Sequence, residues 1–167
     1  MVKLAVVILN WNGKRFLETF LLQLIKSLPA YAEVVVADNN STDDSLKFMQ
    51  RNYPSIRVIE NPSNQGFAEG YNTALKQVDA EFYCLLNSDI EVSEHWIEPI
   101  VECFEQNPDV AVIQPKLLSY SEKDMFEYAG ASGGFIDKYG FPFCRGRVFG
   151  GWEKDLGQYD SQLEVYW

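Results

Sequence analysis

Phe82-Tyr83-Cys84-Leu85-Leu86 is an unbroken apolar run that stops at Asn87-Ser88-Asp89. A run of this kind bounded by turn residues reads as a buried strand, with polar acceptor side chains placed where the chain leaves the sheet. A second run, Val34-Val35-Val36-Ala37, ends the same way at Asp38-Asn39-Asn40. In open α/β sheets ligands bind in the crevice outside the carboxyl ends of the strands. A carboxylate there can hold a cation that bridges to phosphates. The two strand ends together say more than either alone.

Outward from these runs, strands alternate with helical patterns. Leu4 to Leu9 is continuously aliphatic and ends at Asn10-Trp11-Asn12-Gly13, a strand buried on both faces followed by a turn. Phe16, Leu17, Phe20, Leu21, Leu24 and Leu28 recur at helical spacing, and Pro29 closes that helix. The next strand runs from about Glu33 to Ala37. Ser41 with Asp44 resembles a capping box for a helix carrying Leu46 and Met49. Ile56 to Ile59 reads as a strand, Asn61-Pro62-Ser63-Asn64-Gln65-Gly66 as a polar loop, and Phe67, Tyr71, Ala74, Leu75 and Val78 as a helix. Ser93 is placed to cap a helix carrying Trp96, Ile97, Ile100, Val101 and Phe104, with Pro99 near its first turns and His95 at its start. Val110 to Ile113 reads as another strand. The pattern predicts an α/β fold, Rossmann-like, with a mostly parallel sheet covered by helices on both faces.

Beyond Pro115 the helical periodicity ends. Glycines from Gly130 to Gly157 are interleaved with aromatics, which reads as loops and short antiparallel ribbons. Phe135, Tyr139, Phe141 and Phe143 suit ribbon packing, with a sugar platform as the other reading. The last residues, Glu164-Val165-Tyr166-Trp167, look like the beginning of a strand. The expected organisation is residues 1–118 as one subdomain and 119–167 as the incomplete start of a second, in a chain cut from a longer protein.

With 167 residues, 47% of them hydrophobic and 14% aromatic, the chain can bury a real core. A net charge of −10, with Lys14-Arg15 the only basic pair, argues against nucleic acid as a partner. Cys84, Cys103 and Cys144 are widely spaced and form no CxxC, so neither a disulfide framework nor a zinc knuckle is indicated and a reducing cytosol fits. The opening apolar stretch is too short for a signal peptide or a membrane span.

Four loops fall at strand ends: Asn10-Trp11-Asn12, Asp38-Asn39-Asn40-Ser41, Asn64-Gln65-Gly66 and Asn87-Ser88-Asp89. One ligand could touch all of them. Amides and carboxylates suit a nucleotide, accepting from a base N–H or a ribose hydroxyl, while Asp89 can bind Mg²⁺ or Mn²⁺ against a diphosphate. Neither a GxxxxGK[ST] loop nor a GxGxxG after the first strand is present, which excludes a P-loop NTPase and disfavours that kind of dinucleotide fold. Taken alone, Asp38-Asn39-Asn40-Ser41 also reads as a turn and helix cap, and Trp11 reads equally as a base-stacking aromatic or as a core or rim one.

In order and spacing, Asn10-Trp11-Asn12-Gly13, Val35 through Asp43, Asn61 through Asn72 and Leu85-Leu86-Asn87-Ser88-Asp89 resemble the inverting family 2 glycosyltransferases of the GT-A fold. The resemblance is strong over residues 3 to 118. Tyr128-Ala129-Gly130 through Gly157-Gln158-Tyr159-Asp160 is similar, more weakly, to the rhamnosyltransferase-like branch. It implies that Asn10 and Asn12 line the nucleotide pocket with Trp11 beside them, that Asp38 contacts base or ribose, and that Asn40 shapes the same pocket. It further implies that Gln65 and Gly66 form the loop beside the nucleotide, steadied by Asn72. Asp89 is then the ligand of a divalent cation, Mg²⁺ or Mn²⁺, in an Asp-x-Asp element whose first position is here Asn87, with Ser88 between them. Asn87 serves ribose or a water.

The implied reaction is inverting, metal-dependent transfer of a sugar from a UDP- or dTDP-linked donor to a glycan or lipid-linked acceptor. A bacterial surface polysaccharide is the expected context. The general base is expected beyond Trp167, which leaves the chain inactive alone; Asp124, Asp137, Asp155 and Asp160 match no motif. A cytoplasmic location follows, at the inner face of the membrane if the full-length protein associates peripherally. Two other classes are a sugar-phosphate nucleotidyltransferase and a non-catalytic nucleotide- or glycan-binding module.

Overall fold

A computed structural model describes residues 2–127, 132–148 and 150–160 of the chain. They form two compact units, Met1–Glu102 and Cys103–Trp167. The first unit is built from β1 (Val2–Asn10), α1 (Lys14–Ser27), β2 (Ala32–Asp38), α2 (Ser45–Asn52), β3 (Arg57–Glu60), α3 (Gly66–Leu75) and β4 (Ala80–Asn87), and α4 (Glu98–Gln106) follows. The sheet order is β3-β2-β1-β4, and every neighbouring pair is parallel.

The aliphatic run of β1 is explained by its place. It has a strand on each side and helices over both faces, so Leu4 to Ile8 are all at most 2% exposed. Leu4, Val6 and Ile8 point to one face and share a core with Leu17, Leu21 and Leu24 of α1, Met49 of α2 and Val101 of α4. Ala5 and Val7 point to the other, where Val35, Ala37, Tyr71 and Ala74 form a second core under α3. Each buried aliphatic side chain contributes about 1.5–3 kcal/mol. Helix α1 ends at Ser27 because Leu28, the residue before Pro29, is extended.

β4 differs from the expected buried strand. It is last in the sheet order, and among the described residues only the face toward the first core is covered along Phe82 to Leu86. Phe82, Cys84 and Leu86 pack into the first core, while Tyr83 and Leu85 are 44% and 51% exposed. The helix expected from Ser93 begins instead at Glu98, so Ser93 caps nothing and His95 lies in the preceding turn with φ +56°. Pro99 therefore sits at the second helical position, where its missing N–H costs little. Val110 to Ile113 is not a strand: a strand needs a ladder partner, no described strand pairs with it, and Val112 is 84% exposed. Among the described residues no helix is long and apolar enough to cross a membrane.

The second unit contains the antiparallel pairs β5 (Gly134–Ile136) with β6 (Pro142–Cys144) and β7 (Arg147–Val148) with β8 (Gly151–Trp152). Its centre is Phe126, 2% exposed, against which Gly146 packs so closely that a Cβ would lie 2.6 Å from the ring. Arg145 is also buried. Its Nε donates to the Ser132 carbonyl at 2.8 Å, and its guanidinium lies over the rings of Phe135 and Tyr159. Phe135 and Phe143 stack across the β5–β6 ribbon, as ribbon packing requires, but Tyr139 and Phe141 at its turn are exposed.

Candidate functional site

Parallel register brings the polar strand ends together. Asn10 pairs with Asp38 across β1 and β2, and Leu9 with Asn87 across β1 and β4. Asn10 is wholly buried, and its Nδ2 donates to Asp38 Oδ1 at 3.0 Å and to Ser41 Oγ at 3.2 Å. Its Oδ1 is buried without a partner. Gly13 closes over that oxygen: a Cβ there would lie 2.5 Å from Asn10 Oδ1 and 3.3 Å from Ser88 Oγ. Asp38 is 1% exposed, and its second oxygen accepts from the Ser41 N–H at 2.8 Å. Both of its carboxylate oxygens thus hold neighbouring loops in place.

Ser41 belongs to this junction and not to a capping box. Its Oγ accepts from the Asn12 N–H at 2.9 Å, while Asp44 at the start of α2 makes no side-chain cap. Capping falls to Asp43, whose two oxygens accept from the N–H groups of Ser45 and Lys14 and so tie the first turns of α2 and α1. Desolvation pushes the Asp43 carboxyl up, but hydrogen bonding from Ser45 and Lys14 outweighs it and holds the group below the usual value of 3.8. Asn12 Oδ1 accepts from the N–H groups of Thr42 and Asp43 at 2.7 and 3.2 Å. Asn12 and Asn40 both have left-handed backbones, φ +50° and +62°, which asparagine tolerates better than other side-chain-bearing residues.

Sequence reasoning assigned no role to Asn39, Asn61 and Asn64, yet they tie the end of β2 to the loop before α3. Asn39 is 2% exposed and its side chain makes four hydrogen bonds, to Asn64 Oδ1, the Gly66 carbonyl, Asn61 Nδ2 and the Gln65 N–H. Asn61 Nδ2 also donates to the Gly70 carbonyl. The signal was present as three asparagines at two neighbouring strand ends, which read as turns and as loops within reach of a ligand and not as a network among themselves. Gly66 opens α3 with φ +72°, where a side chain would be strained. Gln65 Oε1 is buried without a partner.

The remaining expected residues divide by exposure. Trp11 is 56% exposed, which makes it a rim and not a core aromatic. Asn40, Asn72, Asn87 and Asp89 are exposed, and Ser88 is half-buried. Asn72 lies on α3 behind Tyr71, whose buried hydroxyl donates to the Leu86 carbonyl and accepts from the Leu9 N–H. Burial pushes the Tyr71 phenol up to about 12 and the Cys84 thiol up to about 11, so both stay neutral.

Asp89 meets no cation among the described residues, and no group of three potential metal ligands occurs among them. A single exposed carboxylate beside an amide is a donor set that suits Mg²⁺ or Mn²⁺ only when phosphate oxygens complete it. In the second unit Lys116 pairs with Asp155 and Asp160, Lys154 pairs with Asp124, and Asp137 accepts from the N–H groups of its own turn. These carboxylates are committed to structure. Tyr128-Ala129-Gly130 and Glu164 to Trp167 lie outside the described residues.

The sequence of this chain has a match among known families: "Glycosyl transferase family 2" matches residues 5–148. The chain belongs to that family. A curated relative, N-acetylgalactosaminyltransferase 4 of Drosophila melanogaster, is 26% identical over 166 residues, covering 80% of this chain and 26% of its own length. The chain spans between 26% and 38% of the length of the first curated relatives it matches. Among solved structures, S. aureus TarS 1-349 in complex with UDP-GlcNAc superposes with a TM-score of 0.56 at 22% identity, covering 70% of this chain and 38% of that one. The mannosyltransferase PcManGT of Pyrobaculum calidifontis, in complex with GDP-Man and Mn²⁺, gives 0.53 at 20% identity, covering 70% and 34%. The family 2 chain described here thus has the GT-A fold.

Proposed function

We propose that this chain is the donor-binding part of a glycosyltransferase that takes its sugar from a nucleoside diphosphate. The observation that carries the reading is the convergence of Asn10, Asp38 and Asn87 on one end of a parallel sheet in a family 2 chain. The UDP-GlcNAc bound to TarS supports a nucleotide-linked sugar as donor, and a UDP- or dTDP-linked one is our reading. Asn40 and Asn87 stand exposed at strand ends of this crevice, and a nucleoside offers N–H and O–H donors to such amides. Trp11 on the rim offers a face for stacking.

Asp89, with Asn87 and Ser88 beside it, holds the divalent cation in this proposal, and Mn²⁺ in the mannosyltransferase complex supports the choice. Bound there, the cation would stabilise the departing diphosphate. The protein's own contribution is positional. Asp38 and Ser41 fix Asn10, Asn12 fixes the loop after β2, and Asn39 fixes the loop before α3. Inversion, a glycan or lipid-linked acceptor, the rhamnosyltransferase-like branch and a cytoplasmic site of action complete the proposal. The general base is assigned to none of Asp124, Asp137, Asp155 and Asp160, because lysines and a turn already engage them.

Calorimetric titration with UDP, dTDP and GDP, each with and without Mn²⁺, tests this. One of them should bind, more tightly with the metal. Failure of all three to bind a chain whose circular dichroism shows it folded would end the proposal.

A further inference from the structure

Asn39 carries more bonds than a strand-end residue needs. Its Nδ2 donates to Asn64 Oδ1 at 2.9 Å and to the Gly66 carbonyl at 3.0 Å, and its Oδ1 accepts from Asn61 Nδ2 at 3.1 Å and from the Gln65 N–H at 3.3 Å. All of these side-chain bonds link the end of β2 to residues 61–66. Only an amide fits: an aspartate would set its oxygen against two acceptors, Asn64 Oδ1 and the Gly66 carbonyl. The space that Asn39 occupies is kept open by Gly70 on α3. A Cβ there would lie 3.1 Å from Asn39 Oδ1, Asn39 Nδ2 and Leu9 Cδ1. Leu9 Cδ1 is the tip of a flexible side chain and can give way. The Asn39 amide cannot, because it is held at both ends.

We infer that Asn39 is a positioning residue for donor binding. It sets the Gln65-Gly66 loop at the nucleotide crevice, with Gly70 as the glycine that makes room for it. The inference rests on the nucleotide reading above. It assigns to Asn39 no contact with the ligand. Affinity gained this way comes from pre-organisation: a loop already in its bound form loses less conformational freedom on binding.

The test is a cycle of Asn39→Ala, Gly70→Ala and the double variant, titrated with whichever of UDP, dTDP and GDP the parent chain binds. Each single variant should weaken binding about tenfold, and the double variant should bind no more than about twofold worse than Asn39→Ala, because the amide that the new methyl meets is gone. Gly70→Ala serves as the second probe should Asn39→Ala unfold, since alanine favours the helix that it sits in. Amide hydrogen exchange supplies a readout without ligand: the Gln65 N–H should lose protection in Asn39→Ala while the N–H groups of β1 keep theirs. Parent-like affinity in both folded single variants, penalties that multiply in the double variant, or unchanged Gln65 protection would each overturn the inference alone. A parent chain that binds no nucleotide would overturn the proposed function, and this inference with it.

Discussion

At the scale of single residues, the site is made mostly of asparagines doing backbone work. Asn40 has φ +62° and is exposed, so its side chain is less important than its tolerance of the left-handed region. Asn40→Gly should preserve stability and nucleotide affinity, whereas Asn40→Ala should lose about 1 kcal/mol in urea denaturation. An affinity loss in Asn40→Gly as large as that in Asn40→Ala would instead make the amide a ligand contact. Gly13 presses on Asn10 Oδ1, so Gly13→Ala should cost about 1–3 kcal/mol through overpacking against a fixed buried amide. Asp89 is exposed and has no ion-pair partner among the described residues, so Asp89→Ala should leave the urea midpoint unchanged while removing the gain in nucleotide affinity that Mn²⁺ gives. Lost affinity without metal as well would mean that Asp89 has another role.

The elements were legible in the sequence wherever one physical rule dominated. Aliphatic runs marked β1 and β2 because both faces of those strands are covered, and helical spacing marked α1 and α3. β4 was misread for its exposure because Tyr83 and Leu85 are apolar like Phe82, Cys84 and Leu86, and only the covering of one face and not the other distinguishes them. Leu86→Ala should therefore cost about 2–5 kcal/mol and Leu85→Ala no more than about 0.5, a contrast that denaturant titration resolves. The helix starts were harder to place. Asp43, not Ser41, caps α2, and it reaches across to α1, a contact between segments that no local pattern encodes. Its folded carboxyl sits below 3.8, so its stabilising bonds are complete above that pH and fade as pH falls below it. The stability difference between the parent and Asp43→Ala should accordingly be largest at neutral pH and shrink toward pH of about 3. A difference that stays constant over that range would remove the charged cap from the account.

Over the whole molecule, fold and family were readable because four motifs recur in the order that a parallel sheet demands. The roles of individual site residues were not. Burial decides them, and Asp38 and Asn39 are buried and internally bonded while Asn87 and Asp89 stand exposed beside them. The second unit was readable only as ribbons, because its centre joins Phe126, Arg145 and Tyr159 from distant positions. The central claim is that the loops at the carboxyl ends of the sheet form one nucleotide site. The most direct measurement is an amide chemical-shift map of the isotope-labelled chain titrated with UDP and Mg²⁺. Perturbations should concentrate at Asn10 to Asn12, Asp38 to Ser41, Asn64 to Gly66 and Asn87 to Asp89. Saturating shifts centred on another surface, such as the β5–β6 ribbon, or no shifts at all, would contradict it.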